Sequence, residues 1–262
     1  MAFCVKTFDR PACATRLVES ILDQYPDAAI YVADDGREPV SVPRATAIRL
    51  PFDSGISSGR NRLVRETREP FLLFHDDDFV YGDSTRIEIL LEFLLQHPEF
   101  GLVAGAVEIP PGRRWSFEGW LHLHDGVLEH RPDTSPVSDE VPPWKEVGTC
   151  MNFLLARRRV FEAVRWDEEL KVAEHVPFLV DLARASCRAA FTPAVVVEHH
   201  VHYAPDYARY RLRAPIYEAL GLAKRGIREF VDYWGKRTSI PSVVEARRAV
   251  HLMEEELRLA RP

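Results

Sequence analysis

Three consecutive aspartates, Asp76, Asp77 and Asp78, follow a run of four apolar residues at positions 71–74. The apolar run is typical of a buried β-strand, and an isolated buried carboxylate is strongly unfavourable unless it is paired or holds a cation. In extended geometry Asp76 and Asp78 point to the same side and Asp77 to the other. The pair therefore offers oxygen ligands of the kind that Mg²⁺ or Mn²⁺ prefers, and the alternative is a solvated acidic turn.

The segments around the aspartates alternate between strand and helix patterns. Strands are predicted at residues 3–8, 29–33, 45–50, 71–75 and 101–109. Helices are predicted at residues 11–24, 57–67 and 83–96. This alternation predicts an α/β fold with a mainly parallel sheet and helices on both faces, and ligands bind at the carboxyl ends of such strands.

The second half of the chain departs from this rhythm. Residues 110–143 are rich in Pro, Gly, Trp and His and predict an excursion of hairpin and loop. Strands are expected at 147–156 and 190–197, and helices at 157–164 and 174–186. We expect one domain at residues 1–203, with a nucleotide-binding half at about 1–109 and an acceptor half at about 110–203, and a helical C-terminal extension at 204–262.

The bulk composition excludes several classes of protein. The net charge of −6 over 262 residues argues against general nucleic-acid binding. No apolar run is long enough for a membrane span, and the N-terminus enters a strand directly, so we expect a cytoplasmic protein or one peripheral to a membrane. Four scattered cysteines indicate a reduced compartment rather than a disulfide framework or a zinc site.

Several segments resemble, in order, family 2-type glycosyltransferases with the GT-A fold. They are Lys6–Arg10 as the first-strand motif, Asp34-Asp35-Gly36 as the second-strand motif, residues 55–61, Asp76–Asp78 as the DxD motif, residues 152–157 with Trp166-Asp167, and Glu174-His175. Within this group the chain is most similar to the β-1,4-N-acetylgalactosaminyltransferase type. The resemblance covers about residues 3–202.

The resemblance implies a nucleotide and metal site. Asp78 is expected to bind the metal directly, with Asp76 in the metal shell or on the ribose, and His200 or His202 as a further ligand; each of these has a structural alternative. An imidazole is compatible with Mn²⁺. The residues expected to bind the nucleotide are Thr7, Phe8, Asp9, Arg10, Asp34, Asp35, Arg60, Asp76 and Asp77. Arg60 is expected to pair either with phosphate or with Asp76.

The resemblance also implies a catalytic base on the acceptor side. Glu174 is the first candidate, and His175, which replaces the usual aspartate, is the second because its ordinary pKa suits the task. Trp115, Trp120 and Trp144 are candidates for an acceptor platform or for local cores. Tyr203, Tyr207 and Arg211 are candidates for a lid over the diphosphate.

Together these expectations describe a metal-dependent, inverting glycosyltransferase that uses Mn²⁺ or Mg²⁺ and a UDP-sugar such as UDP-GalNAc or UDP-GlcNAc. The acceptor is expected to be a carbohydrate, a lipid or a small molecule, and the helical tail offers a face for a homodimer. The alternatives are a sugar-nucleotide-binding protein with a degenerate site and a sugar-phosphate nucleotidylyltransferase. The chain lacks the glycine-rich loop that the second alternative requires after the first strand.

Overall fold

The computed structural model describes residues 1–202 and 211–259. The helices in these two stretches are α1 (Pro11–Gln24), α2 (Ile56–Glu66), α3 (Ile87–Gln96), α4 (Val160–Ala163), α5 (His175–Arg184), α6 (Ala214–Lys224) and α7 (Val243–Leu259). The first seven strands are β1 (Ala2–Thr7), β2 (Ala29–Asp34), β3 (Thr46–Arg49), β4 (Phe71–Asp76), β5 (Phe79–Val80), β6 (Phe100–Ile109) and β7 (Arg113–Trp115). The remaining strands are β8 (Gly119–His124), β9 (Val127–Pro132), β10 (Lys145–Val147), β11 (Leu154–Arg157), β12 (Arg188–His199), β13 (Glu229–Val231) and β14 (Arg237–Ser239).

A large mixed sheet runs through the molecule in the order β10-β12-β6-β11-β4-β1-β2-β3. Strands β3, β2, β1 and β4 are parallel to one another, and β12 is parallel to β6. Strand β11 lies antiparallel between β4 and β6. The carboxyl ends of β1, β2, β4, β6 and β12 consequently meet at one edge of the sheet. The short strands β5 and β7 add to β12 and β6 at that edge.

Both faces of this sheet are covered by helices, as the alternating pattern predicts. Helices α1 and α3 bury one apolar stripe each, including Leu17 and Leu90, against one face. Helices α2, α4 and α5 cover the other face through Leu63, Phe161 and Phe178. Because the strands are buried on both sides, they read as nearly continuous apolar runs.

A second sheet joins the excursion after β6 to the C-terminal part of the chain. Its order is β14-β13-β9-β8, and β13 pairs with β9 in parallel. Behind it, Leu222 and Phe230 pack with Val176 of α5 and Leu128 of β9. The C-terminal part of the chain therefore contains two short strands as well as the expected helices, and it packs against β9 and α5.

Two predicted elements differ from the structure. The strand predicted at 147–156 is divided into β10 and β11, because the amides of Gly148 and Thr149 both donate to the carbonyl of Gly119 and draw the intervening chain toward the second sheet. Helix α3 begins at Ile87 rather than at residue 83. Residues 82–86 form a turn in which the Thr85 hydroxyl accepts from the Gly82 amide and donates to the Val196 carbonyl.

Residues 1–202 and 211–259 contain neither a bilayer-spanning helix nor a disulfide bond. None of the helices within the described residues combines the length and apolar character that crossing a bilayer requires. The four cysteines are free thiols, and three of them are buried in apolar surroundings. Burial raises the pKa of Cys150 to about 12, which suits a structural role.

Candidate active site

The aspartate motif lies at the carboxyl end of β4, in the turn that leads into β5. Only Asp76 belongs to the strand, and Asp77 and Asp78 form the turn. The expected alternation of the three side chains is therefore wrong, because it requires extended backbone throughout. Asp77 and Asp78 instead share one partner, since the guanidinium of Arg10 contacts both carboxylates.

Asp77 is completely buried and is held by internal contacts. The hydroxyl of Thr7 donates to its Oδ2 over 2.6 Å, and Arg10 contacts both of its oxygens. The predicted contact of Asp77 with a nucleotide does not fit this placement. Its carboxylate fixes Thr7 and Arg10 at the end of β1, so it acts as a positioning residue.

The histidine beside the aspartates is His199. Its Nε2 lies 3.2 Å from Oδ1 of Asp78, and its ring contacts Phe79 edge-on at 5.3 Å. The assignments to His200 and His202 are corrected by this placement. His200 pairs with Glu198 over 2.7 Å, and among the described residues His202 makes no contact with an aspartate of the motif. Both still line a cleft of about 380 Å³ that also includes His199 and Arg16.

The charges at Asp78 and His199 support each other. Burial raises the pKa of Asp78, but the hydrogen bond from His199 and the charge of Arg10 outweigh it, so that the pKa lies below its ordinary value. Burial lowers the pKa of His199, but Asp78 outweighs it, so that this pKa is raised. The pair is thus an ion pair with a partly exposed edge. In Asp76 burial dominates over the opposing charge of Arg60, and the pKa is raised.

Arg60 connects the aspartate motif to the candidate base. It lies on α2, where its guanidinium is 2% exposed, with Nη1 2.5 Å from Oε1 of Glu174 and Nη2 3.3 Å from Oδ1 of Asp76. Arg60 thus contacts Asp76, which is one of the two partners expected for it. Glu174 precedes the first turn of α5, and within the described residues its Oε2 has no hydrogen-bond partner.

His175, the second candidate base, is the first residue of α5. Its Nε2–H donates to the carbonyl of Cys150 over 2.5 Å, which leaves Nδ1 as the acceptor in the neutral ring. Burial lowers the pKa of His175 despite the neighbouring charge of Glu174. The neutral imidazole is therefore the form present near pH 7.

The predicted nucleotide-binding residues of the first strand lie at the same edge. Phe8 is half-buried with its ring 5.6 Å from that of Phe52. Asp9 has a φ of 52°, and its Oδ1 accepts from the Arg37 amide over 2.7 Å. Arg10 is engaged by the two turn aspartates. Of these residues, Phe8 and Asp9 line the partly exposed surface between the first and second strands.

Asp34 and Asp35 have internal partners, which the sequence did not indicate. Asp34 accepts from the amides of Gly36 and Val40 and from Arg49. Asp35 pairs with the buried ammonium of Lys6 and accepts from the Gly55 amide over 2.7 Å. With exposures of 3% and 1%, both carboxylates are directed into the protein in place of the predicted nucleotide contact. They hold the loops after β2 and before α2.

The three candidate tryptophans of the acceptor platform have different surroundings. Trp144 belongs to an aromatic cluster with Phe93, His97 and Phe100 at 5.1–5.5 Å, so its assignment to the platform is corrected to a core role. Trp120 lies on β8 with its side chain 39% exposed. Trp115 is half-buried on β7, and its ring lies 5.5 Å from that of Trp234. Trp234 was not among the candidates, because the residues after 204 were interpreted only as helix.

The proposed lid falls largely beyond the described residues. Tyr203 and Tyr207 lie outside the two described stretches. Arg211 is the first residue of the second stretch, and it is exposed.

Asp76, Asp78 and His199 are the residues whose side chains could supply ligands to a divalent cation. Two carboxylates and an imidazole are ligands that Mn²⁺ accepts, and all three lie at the same strand ends. No group of three or more His, Cys, Asp or Glu side chains within residues 1–202 and 211–259 is arranged closely enough to hold a metal ion. Arg10 and Arg60 compensate the carboxylate charges of the motif.

A second charged cluster, which the sequence reasoning missed, anchors the segment before α2. Arg213 is 3% exposed and contacts Asp53 through both terminal nitrogens and Glu254 through Nη1 over 2.6 Å. Lys171 bridges the same two carboxylates at 2.9 and 3.0 Å. The partners are distant in sequence, so only the structure brings them together.

The chain is similar to curated glycosyltransferases from mammals. It is 29% identical over 213 residues to β-1,4 N-acetylgalactosaminyltransferase 2 of Mus musculus, with 78% of this chain and 40% of the relative covered. It is 30% identical over 229 residues to β-1,4 N-acetylgalactosaminyltransferase 1 of Homo sapiens, with 80% and 43% covered. The chain thus spans about two fifths of the length of these relatives.

The chain is also similar to a solved structure and to a family model. The solved structure of S. aureus TarS 1-349 superimposes with a TM-score of 0.53 at 16% identity, covering 84% of this chain and 65% of that one. This likeness in fold confirms the GT-A architecture implied by the sequence motifs. The model of the family "Glycosyl transferase family 2" matches residues 2–165. The chain belongs to glycosyl transferase family 2.

Proposed function

We propose that the protein is a metal-dependent, inverting glycosyltransferase that moves a GalNAc- or GlcNAc-like sugar from a UDP-sugar to an acceptor hydroxyl. The observation that carries this proposal is the bridge made by Arg60. It joins Asp76, on the nucleotide side, to Glu174, on the acceptor side. One guanidinium therefore contacts both the carboxylate proposed to lie at the donor and the carboxylate proposed to activate the acceptor. The names of the mammalian relatives favour N-acetylgalactosamine as the transferred sugar.

Glu174 is the group that would take the acceptor's proton. Arg60 orients its Oε1, and Oε2 is left to accept from an approaching hydroxyl. As the acceptor oxygen bonds to the anomeric carbon, the bond from that carbon to the phosphate oxygen breaks and its electron pair leaves with UDP. A single displacement of this kind inverts the anomeric centre. His175 Nδ1 is the alternative acceptor for the same proton.

Asp78, Asp76 and His199 are the residues that would hold a divalent cation. A bound Mn²⁺ or Mg²⁺ supplies positive charge that stabilises a departing diphosphate without a proton transfer. The ionised Asp78 is ready for this role, because its pKa lies below the ordinary value. Arg10, which contacts Asp78 over 2.8 Å, would have to share that carboxylate with the cation.

The first alternative is a sugar-nucleotide-binding protein with a degenerate site. It rests on the histidine at position 175, where an aspartate is usual. Because His175 has a lowered pKa and lies beside Glu174, a proton acceptor is present at that position, and we favour the enzyme. Membership of a glycosyltransferase family disfavours the nucleotidylyltransferase alternative.

A screen of UDP-sugars with Mn²⁺, read as UDP release, tests the reaction, and calorimetry with UDP tests the site. Asp78→Ala is expected to weaken Mn²⁺-dependent UDP binding about 100-fold or more. Asp139→Ala, at an exposed position in the loop before β10, is the matched control and is expected to bind UDP normally. Unchanged UDP binding in Asp78→Ala would rule out the metal assignment.

Glu174→Gln separates the base from the donor site. It is expected to bind UDP but to lose transfer. Full transfer activity in this variant would move the base to His175 or elsewhere. If the wild-type protein binds UDP but releases none from any UDP-sugar, the binding-protein alternative is favoured.

A further inference from the structure

The turn between β13 and β14 presents Trp234 beside the candidate active site. Its side chain is 67% exposed, and the turn that carries it is held by hydrogen bonds. The amide of Asp232 donates to the Lys236 carbonyl over 3.0 Å, and the Gly235 amide donates to the Asp232 carbonyl over 2.9 Å. The Asp232 carboxylate accepts from the amides of Trp234 and Lys236.

Among the large apolar side chains of the described residues, Trp234 is the most exposed aromatic one. The hydrogen bonds of the turn fix the backbone on both sides of it, and Gly235 takes the left-handed φ of 83° that the turn requires. Trp234 is therefore an exposed aromatic side chain on an ordered turn.

Contacts with the excursion after β6 hold this turn in place. The Tyr233 ring stacks on Phe117 at 4.9 Å, and its hydroxyl donates to the Glu118 carbonyl over 3.1 Å. The Trp234 ring lies 5.5 Å from that of Trp115. We call the surface formed by Trp115 and Trp234 the tryptophan shelf.

The shelf lies close to His175, the second candidate base. Phe117 connects the two, because its ring is 6.4 Å from that of Trp234 and 6.0 Å from that of His175. The pairing of the sheet strands independently places Trp115 near His199. Trp115 is paired with Val107 on β6, and Val107 is paired with Val197, two residues before His199.

We propose that the tryptophan shelf binds a pyranose ring of a carbohydrate acceptor. This inference rests on the proposed function. The C–H groups on one face of a pyranose are apolar and weakly positive, and they match the negative face of an indole ring. Arg113 lies 5.5 Å from the Trp115 ring, so Trp234 supplies the more open surface. A lipid chain would need a larger apolar surface than this pair, whose rim is charged.

Saturation-transfer NMR with four methyl glycosides tests the shelf: those of β-galactose, β-glucose, β-N-acetylglucosamine and β-lactose. We expect ring protons of at least one glycoside to be saturated by the wild-type protein and by Leu95→Ala, the control at an exposed apolar side chain on α3. Trp234→Ala is expected to reduce affinity about tenfold, and Trp234→Tyr to restore part of it. The partial rescue distinguishes a stacking surface from a general loss of structure.

Two results would overturn the proposal: no saturation of any of the four glycosides by the wild-type protein, or equal affinity in Trp234→Ala and wild type. Calorimetry with UDP and Mn²⁺ on the same samples keeps the two proposals apart. UDP binding without glycoside binding contradicts the shelf alone. Glycoside binding that depends on Trp234, without UDP binding, supports the shelf and contradicts the proposed donor.

Discussion

Replacing Arg60 by methionine tests the central contact of the candidate site. Methionine keeps a long side chain but removes the guanidinium that joins Glu174 to Asp76. Glu174 is then left buried without its partner, since its side chain is only 5% exposed. Removing one member of a buried ion pair costs about 3–5 kcal/mol, because the remaining charge is neither solvated nor compensated.

The contribution of Asp76 to this loss is expected to be small. Its side chain is 24% exposed, and its contact with Arg60 is longer, at 3.3 Å. We therefore expect Arg60→Met to lower the free energy of unfolding by about 3–5 kcal/mol. That change corresponds to a fall of about 1–2 M in the midpoint of urea unfolding, with a slope of about 3 kcal/mol per M.

A double-mutant cycle with Glu174→Gln identifies the cause. The neutral amide removes the buried charge, so Arg60→Met is expected to cost less in the Glu174→Gln background, with an interaction energy of at least about 1 kcal/mol. Arg62→Met is the matched control on the same helix. It breaks an exposed pair with Glu66, and we expect a change within about 0.5 kcal/mol.

Two outcomes would refute this reasoning. If Arg60→Met unfolds at the same urea concentration as the wild type, Arg60 does not compensate a buried charge. If the two substitutions are additive, the loss in Arg60→Met comes from packing against Trp166, whose ring lies 5.6 Å from the guanidinium, and not from Glu174.

Three further expectations concern the proposed metal ligand His199, the second charged cluster and the response to pH. Calorimetry with UDP and Mn²⁺ should show weaker binding in His199→Ala, by about 10- to 100-fold, and little change in His200→Ala; the reverse order would restore the sequence-based assignment. Arg213→Met should lower the free energy of unfolding by about 1.5–3 kcal/mol in urea, because the buried carboxylates of Asp53 and Glu254 lose their hydrogen bonds from Arg213 and then share only Lys171; a loss below about 1 kcal/mol would contradict this. Burial lowers the pKa of His130 to about 4, so the unfolded chain takes up a proton first as the pH falls below about 6.5, and about 3 kcal/mol should be lost between pH 6.5 and 4. Urea unfolding across this pH range should show a smaller loss in His130→Gln, and an equal loss would exclude His130 as a source.

Much of the fold could be predicted from local sequence pattern. The strands of the parallel half are buried on both faces, and their apolar runs stand out between turns. The hairpin β8–β9 within the excursion also follows from turn residues, with Gly126 at a φ of 76° between its strands. The division of residues 147–156 could not be predicted, because it depends on hydrogen bonds to Gly119, which lies about thirty residues earlier.

The candidate site could be predicted by position but not by contact. The motifs place Asp76, Asp78, Arg60 and Glu174 at the correct edge, and the Arg60–Asp76 pair was anticipated. The internal partners of Asp34 and Asp35 could not be anticipated, because an acidic pair after a strand looks the same whether it binds a ligand or its own loop. Trp234 lies in a short hairpin that no motif marks.

The choice among the histidines shows why alternation alone is insufficient. Side chains do alternate along the end of β12, but the side that faces Asp78 depends on the register of the whole strand. Between the pairs Thr192–Gly105 and Val196–Ala106, β12 contains three more residues than β6. An odd insertion exchanges the two sides of a strand relative to its neighbour. His199 therefore faces Asp78, and the amide of His200, which donates to the Asp78 carbonyl over 2.9 Å, fixes that register at the site.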